Sequence, residues 1–108
     1  MGGVPTWSVS FEGVALRARF QGHLDAAEGA RAADAFAERL AEATPPVAVI
    51  FDVREMSGYD SGARKAWQER LWPLRKRIAS IRLRGGTPIV RMGGTTLGML
   101  LGIRVHTE

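Results

Sequence analysis

The run Val47-Ala-Val-Ile-Phe-Asp-Val53, bounded in front by Pro45-Pro46, constrains the fold more than any other stretch. It is nearly unbroken in apolar residues, rich in β-branched ones, and short. Such a run reads as a strand buried on both faces, as in a parallel or mixed sheet with helices outside it. Asp52 ends the strand. Arg54 to Tyr59 then reads as a short polar loop holding Gly58, and Asp60-Ser61 opens a helix. A central strand that delivers a polar loop onto a helix N-terminus is a common place for function in open α/β sheets.

The flanks supply the other elements. Trp7 to Phe11 and Val14 to Phe20 alternate apolar and polar residues around Glu12-Gly13, the pattern of a β-hairpin with one wet face, and Gly22 breaks its second strand. Asp25-Ala-Ala-Glu28 has the form of a capping box. Behind it Ala26, Ala30, Ala33, Phe36, Ala37 and Leu40 form a helical stripe, which Thr44-Pro45-Pro46 ends. Downstream, Ala63, Trp67, Leu71, Leu74, Ile78 and Ile81 step by three or four, which predicts a second helix. Pro73 predicts a kink or break in it near Glu69 to Trp72. Gly85-Gly86 reads as a turn and Thr87 to Met92 as a fourth strand. Gly93-Gly94 leads to Thr95 or Thr96 as the N-cap of a short helix, Leu97 to Leu101, stopped by Gly102. Ile103 to Thr107 reads as an edge strand. The expected fold class is α/β: a mixed sheet of about five strands with helices packed against it, in the order β-β-α-β-α-β-α-β. One domain spans residues 1–108, with 1–5 as a flexible leader.

Composition narrows the chemistry. With no cysteine, disulfides, thiolate catalysis and thiolate metal sites are excluded. His23 and His106 are the only imidazoles, and neither has a carboxylate at metal-ligand spacing, so no metal is expected. The glycines near residues 85 and 93 match neither a P-loop nor a dinucleotide fingerprint, so no cofactor is expected. No apolar run approaches the roughly 18 residues of a membrane span, and the chain does not open on a signal peptide. The expectation is a cytoplasmic protein, with Ala, Arg and Gly usage suggesting a bacterial gene. Charge is uneven. Up to Asp60 there are nine acids against five bases, whereas Ser61 to Arg84 carries eight bases against Glu69 alone. So one-sided a field steers partners of opposite sign.

Phe51-Asp52-Val53-Arg54-Glu55-Met56-Ser57-Gly58-Tyr59-Asp60-Ser61 resembles the switch region of STAS domains, the sulfate-transporter and anti-sigma-factor-antagonist modules. Their pattern is a buried strand, a short loop, then Asp-Ser-Ser-Gly opening a helix. Asp60-Ser61-Gly62-Ala63 departs from it by having one serine, and by Ala-Arg where the family prefers Leu. The element order resembles the family as well. The resemblance implies a non-catalytic regulatory domain whose partner is a serine-kinase-type anti-sigma factor or another signalling protein. It further implies that Ser61 is the phosphoacceptor, with Ser57 as the alternative.

The candidate partner surface is Arg54, Ser57, Gly58, Tyr59, Asp60, Ser61, Arg64 and Lys65, with no catalytic residue among them. A phosphoryl group on Ser61 would sit at a helix N-terminus, with Arg64 and Lys65 one turn on. The plainer reading is that Asp60 or Ser61 only caps the helix, worth about 1 kcal/mol. The alternative function is a small-ligand, lipid-handling or transporter-accessory subunit that docks through its basic helix. Nucleic acid is disfavoured, since the cations spread around the helix rather than gathering on one edge. Self-association stays open. An enzyme would need a pocket joining Asp52, Tyr59 and an arginine, and none of the usual base, nucleophile or metal sets accompanies Asp52.

Overall fold

The computed structural model describes residues 6–108, so the predicted leader 1–5 lies outside the described residues. Strands β1 (Trp7–Glu12) and β2 (Ala15–Leu24) are followed by helix α1 (Ala26–Glu42), strand β3 (Val47–Tyr59) and helix α2 (Ser61–Leu71). A short 3-10 segment, Trp72–Arg77, leads to β4 (Ile78–Arg84), helix α3 (Pro88–Leu101) and β5 (Val105–Thr107). The strands form one sheet in the order β1-β2-β3-β4-β5. The β1–β2 hairpin is antiparallel, and the other three pairings are parallel.

Adding strands in chain order through right-handed crossovers puts every helix on the same side of the sheet. Side-chain alternation agrees. Leu16, Ala18 and Phe20 of β2, Val47, Val49, Phe51 and Val53 of β3, and Ile81 and Leu83 of β4 share one core with residues of all three helices. This corrects the expectation of helices on both faces of β3. The intervening residues face away from the helices, where Arg17 and Arg82 are the register neighbours of Ile50 on either side. Ile50 is 6% and Asp52 2% exposed even though no helix covers that face. Arginine stems lying over apolar surface account for such burial, so the continuous apolar run did not require a second helical layer.

The caps show how local chemistry starts the helices. Asp25 Oδ1 accepts from the Glu28 backbone N–H at 2.7 Å, as the capping-box motif predicts. Glu28 does not reach back, however. Its carboxylate takes the Trp7 indole N–H at 2.9 Å and Arg31 Nε at 3.2 Å, tying β1 to α1. Gly29 of α1 sits against Ala63 of α2: a Cβ added there would lie 2.5 Å from the Ala63 Cβ and 2.7 Å from its Cα.

Several predicted elements differ from the observed ones: β2 runs through Gly22 to Leu24 rather than breaking there, and the assignments change after Leu71. The second helix stops at Leu71, at the break that Pro73 predicts, but it does not resume: Ile78 to Arg84 is strand β4. Ile78 and Ile81 satisfied the helical spacing by coincidence. A register shift after Val47, which pairs with Ile78 while Ala48 pairs with Ser80, lets residues three apart both face the core. Thr87 to Met92 is not a strand but the start of α3. Thr87 is its N-cap, with Oγ1 accepting from Val90 N at 3.3 Å, and Pro88 occupies the first turn. Gly93-Gly94 lies inside this helix rather than in a loop before it. Tertiary packing overrides the poor helix propensity of glycine there, because a Cβ at Gly93 would strike the Tyr59 ring and one at Gly94 would lie 2.7 Å from Leu83 Cδ2. The order of element types is unchanged, but the fourth strand and third helix come from different residues than expected.

The α1–α2 contact yields a test. Gly29→Val should destabilise the fold by about 3 kcal/mol, since overpacking against backbone has no room to relax. Urea unfolding followed by circular dichroism should show the midpoint falling at unchanged slope, and a midpoint equal to wild type would refute the tight approach.

Candidate functional site

The C-terminal half of β3 delivers the predicted site. Arg54 to Tyr59, read from the sequence as a loop, continues the strand: Gln21 pairs with Glu55, Gly22 with Met56, His23 with Gly58 and Leu24 with Tyr59. Nor does Asp52 end the strand. It lies in mid-strand, buried, and Arg54 grips it from two positions along with Nε to Oδ1 at 2.9 Å and Nη2 to Oδ2 at 2.7 Å. The side-chain hydrogen bonds of Arg54 hold the Asp52 carboxyl below the usual carboxylate range. Asp52 is thereby an ion-paired structural residue, 3% exposed at its side chain against 59% for Arg54.

Asp60 is the N-cap residue of α2, and Ser61 is its first residue. Both are exposed, as are Arg54, Ser57 and Lys65, while Gly58, Tyr59 and Arg64 are half-buried. The Asp60 side chain does not cap its own helix. It bridges outward: His23 Nε2 donates to Oδ1 at 2.7 Å, and the Ala26 backbone N–H donates to Oδ2 at 3.3 Å. One carboxylate thus joins the end of β2, the first turn of α1 and the start of α2. The hydrogen bond from His23 is the main cause that holds the Asp60 carboxyl below its ordinary value. His23 is the partner that sequence reading missed. Its contact spans 37 residues, and nothing local to either residue signals it.

The basic run from Ser61 to Arg84 is not one helix but three elements, and most of its cations are engaged internally. Arg70 pairs with Asp34 at 2.9 Å. Arg77 donates to the carbonyls of Leu40, Ala41 and Ala43, closing the C-terminus of α1. Arg84 forms a fork on Glu12, with both contacts at 3.0 Å, and Arg82 pairs with Glu108 at 3.5 Å. Arg75 stacks on the exposed Trp72, with Cζ 3.8 Å from the ring centroid. Sequence reading also missed the face of α3 beside this site. Ile89, Met92 and Met99 are 71%, 68% and 75% exposed. They share one side of α3, which the strand reading of residues 87–92 concealed. Tyr59 packs on Gly93 of the same helix, so α3 borders the β3–α2 junction.

Among the described residues no group of three His, Asp or Glu side chains is placed to hold a metal ion, and no helix is long and apolar enough to cross a membrane.

No protein-family model matches the sequence, and no curated protein matches it. A solved structure does: an uncharacterised protein of the DUF3478 family from Shewanella loihica PV-4, described as having a SpoIIAA-like fold. It superposes with a TM-score of 0.75 at 12% identity, over 100% of this chain and 90% of that one. The fold is SpoIIAA-like. At this identity the likeness concerns architecture alone and assigns no role to any residue.

The Asp60 bridge is testable through its titration. A carboxylate held below its unfolded value stabilises the fold above the unfolded pKa, and that contribution is lost as pH falls through the folded value. The bridge is therefore expected at neutral pH and should fade below about pH 4. His23→Leu should raise the Asp60 titration midpoint, followed by NMR of the carboxyl carbon, toward the ordinary aspartate value. An unmoved midpoint would show that His23 is not the cause.

Proposed function

We propose that this chain is a non-catalytic regulatory domain that docks a protein partner through the β3–α2 junction, and that phosphorylation of Ser61 weakens that docking. The observation that carries this reading is the position of Ser61: an exposed hydroxyl on the first residue of α2, after an exposed Asp, at the C-terminal end of the central strand. The free N–H groups and dipole of a helix N-terminus accommodate a phosphoryl group there. Arg54, Ser57 and Lys65 are exposed on the same junction. The apolar side of α3 adds Ile89, Met92 and Met99 beside it, a kind of surface that protein partners cover. With the SpoIIAA-like fold, these features favour a cytoplasmic signalling partner of the serine-kinase anti-sigma type over a catalytic role.

Docking of a transporter or membrane component through a continuous basic helix is supported less. Arg70, Arg77, Arg82 and Arg84 already have partners within the fold.

The test is a pair of measurements on the protein in its native cells. Mass spectrometry of the purified chain should find phosphate on Ser61 and not on Ser57. The partner recovered with the unmodified chain should bind Ser61→Asp at least about tenfold more weakly, because the added charge meets the interface. Equal affinity for Ser61→Asp and wild type would rule out the switch.

A further inference from the structure

Strand β1 ends the sheet, with β2 on one side and no strand on the other among the described residues. It is six residues long, whereas β5 at the opposite edge has three. The ladder fixes which of its backbone groups face outward. The Gln21 N–H donates to the Thr6 carbonyl at 2.8 Å, so Thr6 turns its backbone groups toward β2. The direction alternates along an antiparallel ladder, so Ser8, Ser10 and Glu12 also bond inward, to Arg19, Arg17 and Ala15. Trp7, Val9 and Phe11 then aim their N–H and C=O groups at the free edge. Their side chains lie on the side of the sheet that the helices cover: the Trp7 indole reaches Glu28 of α1, and Val9 packs against the core. Phe11, two residues on, is 45% exposed.

Proteins normally guard such an edge with lysine, proline, a bulge or a short strand. β1 reads Trp-Ser-Val-Ser-Phe-Glu, and its pairing with β2 has no register shift. Its one charge, Glu12, is held by Arg17 and Arg84. The edge is also self-complementary. A second β1 laid antiparallel about a two-fold axis at Val9 sets Val9 against Val9, Trp7 against Phe11 and Ser8 against Ser10 of the other copy. Every outward N–H and C=O of Trp7, Val9 and Phe11 then meets its counterpart, the apolar side chains meet on the helix side, and no like charges oppose each other. Moving the axis to Ser8 or Ser10 puts Phe11 or Trp7 opposite a residue beyond the end of the other strand. A slip by one residue sets outward groups against inward ones and apolar side chains against polar ones.

We propose that the free edge of β1 is a self-association surface, on which a second copy of this chain adds its own β1 antiparallel about a two-fold axis at Val9, so that two five-stranded sheets become one. The contact covers the exposed Phe11 ring with Trp7 of the other copy. It stands or falls separately from Ser61. Because β2 lies between β1 and β3, each copy keeps its β3–α2 junction clear, and the dimer presents two such junctions to a partner.

The experiment is sedimentation velocity of the full-length protein, joined to a cross-linking test of the register. Between about 1 and 500 μM the sedimenting mass should rise from one chain toward two. Val9→Pro removes an outward N–H and leaves the β1–β2 ladder bonds in place, so it should weaken the dimer at least about tenfold at wild-type circular dichroism. The chain has no cysteine of its own. In the proposed register Ser8 of one copy and Ser10 of the other form a non-hydrogen-bonded pair with Cα atoms about 4.5 Å apart. Two copies of Ser8, or two of Ser10, are diagonal neighbours at about 7–8 Å, beyond the reach of a disulfide. Under mild oxidation a mixture of Ser8→Cys and Ser10→Cys proteins should therefore cross-link at least about tenfold faster than either alone. A protein that stays monomeric up to about 500 μM overturns the proposal, as does undiminished dimerisation of a folded Val9→Pro. Equal cross-linking rates for the mixture and the single variants overturn the pairing, whether or not Val9→Pro folds.

Discussion

The layering of this protein depends on the packing of one side chain, Trp67. Its ring lies 5.1 Å from Phe36 of α1, 5.4 Å from Phe51 of β3 and 5.6 Å from Phe20 of β2, all tilted or edge-on. Those geometries suit the aromatic quadrupole, and each such pair contributes about 0.5–1.5 kcal/mol beyond its burial. Through Trp67, helix α2 is held at once to both central strands and to its neighbouring helix. Gly29 against Ala63 sets how closely α1 and α2 can lie. The first turn of α2, where Asp60 and Ser61 sit, is therefore placed by the core below it. Its polar face stays free, while Asp60 is pinned by His23 and Ala26.

The second constraint comes from the open face of the sheet. A sheet whose helices all lie on one side must satisfy its other side by itself. Here the β2–β3–β4 rows carry Arg19–Asp52–Arg84 and Arg17–Ile50–Arg82 in register. Arg17 and Arg84 reach Glu12 of the edge strand, Arg84 also reaches Glu108, and Arg19 reaches Glu55. Exposed pairs of this kind contribute little individually, but the arginine stems shield Ile50, and Asp52 is matched by Arg54. Much of the positive charge that makes the chain basic is thus spent inside the molecule, and net charge is a poor guide to its partners.

Fold and site lead to different kinds of conclusion. The SpoIIAA-like architecture says where a chain of this type presents a helix start at the end of its central strand, and many activities can occupy such a position. The function proposed for this chain rests on local chemistry at that position. It has the exposed hydroxyl of Ser61, a bridged acid, cations one turn on, and an apolar helix alongside with Arg91 as its sole charge.

By itself the sequence determined the class of fold, the order of element types, the central strand, the capped start of α1, the break before Pro73 and the helix start at Asp60-Ser61. Each is written in neighbouring residues: a β-branched run, an Asp three places before a backbone donor, a proline without an N–H. Only tertiary structure decided that Ile78 to Arg84 is a strand and Pro88 to Leu101 a helix. Their local patterns fit two periods, and the choice was made by pairing with β3 and by Tyr59 and Leu83 filling the space that glycine side chains leave. The same holds for His23 on Asp60, a contact across 37 residues. Contacts between residues far apart in the chain, or geometry that depends on which way a helix faces, have no local signature, because burial selects them only after the layers have come together.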